Sequence, residues 1–230
     1  MISEDPRLPV PIELKRLRRS KRLRLRMDHD RRLLRLTMPW RASARAALDW
    51  VAGQRAWVDR QLDAAPPSTP LTDGAVIEVE GRSLRLRHDP SGRRGVCVNG
   101  DELVIGGPAD SLGPTVLRWL KALARERLSN ETARVASAAG VTVTAVSIGD
   151  PASRWGSCSS SGAIRYSWRL ILAPPDVLRF VVAHEVAHRL HMDHSPAFKK
   201  AEEALYGGPV AAARSELRRL GPALRALGRG

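Results

Sequence analysis

The run Arg22-Leu23-Arg24-Leu25-Arg26-Met27 alternates charged and apolar positions, and Leu34, Leu36 and Met38 alternate again after it. A period of two sends successive side chains to opposite faces of a strand. The segments therefore predict a β-hairpin with one apolar and one arginine-rich face. Asp28-His29-Asp30 supplies the turn and Pro39 ends the return strand. From Ser43 to Leu62 the spacing becomes helical, with Ala47, Trp50, Val51, Trp57, Val58 and Leu62 on one stripe. The tryptophans at 40, 50, 57 and 119 are assigned to the core. Ala65 to Pro70 reads as a linker by composition.

A second β region follows. Val76–Val79 and Leu84–Leu86 flank a tight turn at Glu80-Gly81-Arg82, and Val96–Val98 and Leu103–Ile105 flank Asn99-Gly100, a strong hairpin signal. Pro114 opens a long helix that Gly140 closes. Val141–Ile148 predicts a strand, Arg154–Gly162 a polar loop, and the alternation of Ile164, Tyr166, Trp168, Leu170 and Leu172 another strand. A helix is predicted over 177–191. Ser195-Pro196 has the N-cap and N1 chemistry of the next helix. The remainder reads as helical, with breaks at Gly207-Gly208 and Gly221-Pro222, and no internal repeat is evident. The pattern predicts an α+β protein: a β-rich module with one helix over 1–110, then an α+β domain over 111–230.

At 230 residues and 43% hydrophobic, the chain can bury one substantial core, or one core and a small module. No apolar run approaches the roughly 18–20 residues that cross a bilayer. Met1–Val10 lacks the apolar stretch of a secretory signal, and Cys97 and Cys158 stand far apart, so the cytoplasm is expected. The net charge is +14 and the sequence pI about 11.2. Residues 1–40 hold twelve Lys/Arg against five Asp/Glu. Such a surface attracts polyanions, including DNA, nucleotides and anionic lipid; a merely solvated basic face is an equal account.

His184-Glu185-Val186-Ala187-His188 places two imidazoles four residues apart. On a helix that is one face, about 6 Å along the axis, and both rings can converge on one tetrahedral ion. Glu185 is then positioned to take a proton from a metal-activated water. A hydrolytic site needs a third ligand and an open fourth position. His194 lies ten residues after His184, in a stretch where Asp193 and Ser195-Pro196 predict a break that folds the chain back. His191 would sit about 4.5 Å past His188 on a continuous helix, and Glu202 and Glu203 are further alternatives. His194 is favoured.

Three segments together carry a family resemblance: Arg154-Trp155-Gly156-Ser157-Cys158-Ser159-Ser160, the stretch Trp168-Arg169-Leu170-Ile171-Leu172-Ala173-Pro174-Pro175, and HEVAHRLHMDHSPAF from His184 to Phe198. They resemble the YgjP-like metallopeptidases, relatives of SprT-like proteases within the zincins, and the resemblance spans at least Val141–Lys199. It implies a zincin-like catalytic domain with one zinc ion per chain on His184, His188 and His194, and Glu185 as general base. Its His-Ser-Pro-x-Phe segment independently favours His194. Lys199 follows Phe198 where a Trp is common in the family. His191 occupies the position of the metzincin glycine, so a metzincin assignment is not supported.

Arg154, Tyr166 and Arg165 are candidates for substrate binding or oxyanion stabilisation, while the Arg154–Ser160 loop has an equal reading as a structured turn. Three functions follow. The first is a zinc peptidase acting on protein or peptide. The second keeps the metal and cleaves nucleotide phosphoanhydrides. The third is a nucleic-acid-binding protein with a structural zinc, its basic hairpin tracking phosphates.

Overall fold

Apolar side chains gather into two separate clusters, and the chain divides accordingly into units of residues 1–67 and 68–230. The structure, a computed structural model, describes residues 2–28, 33–63, 69–151 and 153–228. The division falls inside the predicted linker, most of which lies outside the described residues, as does the hairpin turn beyond Asp28.

In the first unit the strands are Ile2–Ser3 (β1), Ile12–Leu17 (β2), Arg24–Asp28 (β3) and Leu33–Pro39 (β4), in the order β1-β2-β4-β3. The expected hairpin pairs Leu25 with Leu36 and Arg26 with Arg35. A strand not anticipated from the pattern, β2, runs parallel to β4 on its other side. Ile12, Leu34, Leu36 and Met38 are fully buried against Ala47, Val51 and Val58 of the following helices.

The single helix predicted over 43–62 is two: Ala44–Ala52 (α1), capped by Ser43 Oγ, and Arg55–Asp63 (α2). Gly53 separates them, and with no side chain it contributes least to helix continuity. Trp40 and Trp50 are exposed at 55% and 40%, so the expectation that they are core residues is corrected. Large rings can lie on a surface with one face covered.

The second unit starts with Val76–Val79 (β5), Arg82–Asp89 (β6), Gly95–Asn99 (β7) and Glu102–Gly106 (β8), ordered β5-β6-β8-β7. Strand order and senses match those of the first unit: an outer antiparallel strand, a parallel central pair, and a closing hairpin. The topology repeats although the sequence shows no repeat. Glu80 and Gly81 both have positive φ in the β5–β6 turn, and the β7–β8 turn is centred on Gly100-Asp101, one residue later than expected.

Leu112–Ala139 (α3) ends at Gly140 in the left-handed conformation. It packs with Leu84, Leu86, Leu103 and Ile105 and with the segments 168–172 and 175–187. Ala145–Gly149 (β9), Gly156–Cys158 (β10) and Ala163–Ser167 (β11) form a third sheet ordered β10-β11-β9. The polar loop 154–162 thus contains an edge strand.

The predicted strand to Leu172 stops at Ser167, and residues 168–172 form a 3₁₀ helix. All five are buried, so their alternation does not separate two faces of a strand. Arg169 in this segment is 4% exposed, with Nε on Asp150 and Nη1 donating to the carbonyls of Leu224 and Leu227. The last helices are Pro175–Ala187 (α4), Pro196–Tyr206 (α5) and Val210–Ala226 (α6). Gly207 breaks the chain as expected, but Gly221-Pro222 lies within α6, where Gly221 lets the Trp155 ring approach. No helix among the described residues is long and apolar enough to cross a membrane.

Candidate metal centre

Helix α4 is apolar nearly all round, and Val177, Leu178, Phe180–Ala183, Val186 and Ala187 are buried. It ends at Ala187, earlier than the expected His191, because the last turn tightens: Arg189 N–H donates to Val186 O and Leu190 N–H to Ala187 O. His184 and His188, one turn apart, have ring centroids separated by 5.0 Å. Past the tight turn, Asp193 accepts from Ser195 N–H and Ser195 Oγ caps α5 by accepting from Phe198 N–H. These local bonds fold the chain back, so that His194 Nε2 lies 3.4 Å from His184 Nε2. One ring nitrogen from each of His184, His188 and His194 falls within 4.8 Å of the others, an arrangement that could hold a metal ion. Phe198 supports all three rings at centroid distances of 4.6 to 5.1 Å.

The outer nitrogens are engaged. His184 Nδ1 donates to Glu202 Oε1 at 2.7 Å, and His188 Nδ1 to the carbonyl of His191 at 3.2 Å. Glu202 is 1% exposed and is closed on its far side by Arg214 Nη2 at 2.9 Å. With Nδ1 protonated and fixed, Nε2 keeps its lone pair for an ion. Burial lowers the pKa of both His184 and His188, which favours the neutral form that a metal requires. The donor set of three imidazoles fits zinc.

Glu185, in the last turn of α4, lies against β10. It is 4% exposed, and burial raises its carboxyl to about 7 against the opposing charge of Arg154. The strand passes so close that a Cβ at Gly156 would collide with the Glu185 carboxyl. Cys158, on the same strand, is half-buried and free, its thiol pushed up by burial.

Of the residues expected to face substrate, Arg154 is brought near enough for its charge to act on Glu185. Tyr166 is buried with its hydroxyl 3.0 Å from Thr132 Oγ1. Arg165, on the other face of β11, lies against Gly149. Glu202, weighed above as a ligand, pairs with His184 Nδ1. Arg214 had no signal in the sequence, since nothing in a helical Arg marks a contact to a carboxylate twelve positions earlier.

A family model described as YgjP-like, metallopeptidase domain, matches residues 21–220. No curated protein matches the chain. Among solved structures, the metallopeptidase zymogen of Pyrococcus abyssi abylysin is similar over 43% of this chain and 95% of that one, at 18% identity and a TM-score of 0.37.

Proposed function

The chain belongs to the YgjP-like metallopeptidase family, and from that premise we propose that it is a zinc-dependent peptidase with Glu185 as its proton carrier. The observation that carries the reading is the convergence of His184, His188 and His194, with the buried carboxyl of Glu185 next to them in sequence.

Zinc, when bound by the three histidines, supplies Lewis-acid polarisation of the scissile carbonyl and a lowered pKa for water. Glu185 takes the proton of the attacking water and returns it to the leaving amine; a carboxyl near neutrality suits both directions of transfer. Gly156 and the open edge of β10 offer main-chain groups to an extended peptide, in the manner of strand addition. Arg154 faces the developing charge beside Glu185. Glu202 and Arg214 hold the His184 ring in register.

The test compares the zinc-loaded wild type with Glu185→Gln on an unfolded protein and on nucleoside triphosphates. Cleavage of protein by the wild type and none by the variant is the expected result. Consumption of triphosphates alone would keep the metal centre and replace the substrate class. Equal activity in both proteins would remove Glu185 from the chemistry.

A further inference from the structure

The solvent face of the first unit's sheet is a groove of about 990 Å³. Its lining includes Lys15, Arg19, Lys21, Arg22, Arg24 and Arg26. Side chains on alternate residues of one strand stand about 6.6–6.8 Å apart, and neighbouring strands about 4.8 Å apart. The register puts Lys15 and Arg24 on either side of Thr37, and Arg26 beside Arg35. The loop between β2 and β3 adds the other three cations.

Among the described residues, the acidic groups of this face lie at one end. Glu13 and Asp28 both pair with Arg35, at 3.2 and 2.8 Å. Among the described residues no carboxylate forms an ion pair with any of the six cations above. Six like charges facing one hollow repel one another, and folding alone gives no reason to gather them there. At the far end of the sheet, where Leu17 pairs with Pro39, the next residue is the exposed Trp40. Arg18 lies over its ring at 5.7 Å, and Arg16 Nη1 ties down the carbonyls of Trp40 and Ala42.

We infer that this face binds single-stranded nucleic acid, with the phosphate backbone along the cationic groove and a base on Trp40. A basic groove ending at an aromatic platform is the general solution for single strands. A bilayer is flat and touches what protrudes, whereas these charges line a hollow. A duplex keeps its bases stacked inward and gives Trp40 nothing to stack on, while a single strand offers a free base beside each phosphate. Binding here is independent of the peptidase reading.

The experiment measures anisotropy of a labelled mixed-sequence single-stranded oligonucleotide titrated with the full chain at several salt concentrations. The duplex of the same sequence and phosphatidylserine vesicles are run in parallel. Each phosphate contact on a single strand contributes a slope of about −0.7 in log K against log salt. Arg24→Glu with Arg26→Glu should weaken binding at least tenfold and flatten the slope by about 1.4. Trp40→Ala should weaken it about tenfold with the slope unchanged. Lys121→Glu with Arg125→Glu makes the same change in net charge on α3 of the second unit and should alter affinity less than about threefold. The milder Arg24→Gln with Arg26→Gln replaces the reversal pair if thermal melting shows that pair unfolded. Equal losses in the α3 control, tighter binding to duplex or vesicles, or no binding would each overturn the inference.

Discussion

Glu185 and Gly156 are in contact across the boundary between α4 and β10, at a distance that leaves no room for a Cβ on the strand. The strand backbone therefore forms one wall of the carboxyl's pocket and contributes to the burial that raises its pKa to about 7. Gly156→Ala should push Glu185 aside while the histidines stay in place. Displacement of a reacting group by about 1 Å costs on the order of a hundredfold in rate. Zinc stoichiometry equal to wild type, with kcat lowered about a hundredfold, is the expected outcome; unchanged kcat would show that the carboxyl's position is not set by the strand.

The third ligand can be assigned by subtraction. His194→Ala removes a ring nitrogen from the converging set, whereas His191 contributes a backbone carbonyl to His188. His191→Ala should keep about one zinc per chain and His194→Ala should lose it, as read by metal analysis after dialysis. The reverse pattern would move the centre one turn along the chain.

Glu202→Ala leaves His184 Nδ1 without its acceptor and Arg214 without its carboxylate. Loss of such an outer partner lowers metal affinity about 10- to 100-fold. Chelator competition should show this drop, with a smaller one for Glu202→Gln, which keeps a carbonyl oxygen for the ring. Equal affinity in all three proteins would reduce Glu202 to a packing role.

The tie between α3 and α4 responds to acid. Arg134 hydrogen-bonds Glu131, with Arg179 of α4 3.6 Å away, and holds its carboxyl below the usual 4.5. A depressed carboxylate pKa contributes stability above the unfolded value and loses it as pH falls through the folded one. Glu131→Gln should cost about 1 kcal/mol or less near neutrality, and in thermal melts the wild-type advantage should shrink steadily as pH falls below the usual 4.5. An advantage that persists in acid would place the effect in packing.

How much of this was legible depended on whether a local rule governed the element. The hairpin of β3 and β4, the α3 stop at Gly140 and the cap at Ser195 obey short-range rules and were readable. The convergence of His194 could be expected because Asp193, Ser195 and Pro196 announce a reversal. β2 was missed because Leu14, Leu17 and their basic neighbours carry no clean alternation; only pairing with β4 makes them a strand. Residues 168–172 misled because burial on every side produces the same letters as a strand with one buried face. Arg214 and the approach of Gly156 to Glu185 are tertiary contacts, and no spacing along the chain encodes them.

The two ends of the second unit meet: Thr69 N–H donates to Ala226 O, Gly228 N–H donates to Thr69 O, and Arg169 is held by the carbonyls of Leu224 and Leu227. During synthesis the histidine cluster leaves the ribosome some thirty residues before those carbonyls do, as read from their positions. Until they arrive, Arg169 lacks two of its acceptors, and a buried guanidinium without them is costly. The second unit therefore cannot bury Arg169 with its acceptors satisfied until residues 224–227 have been made and have joined it.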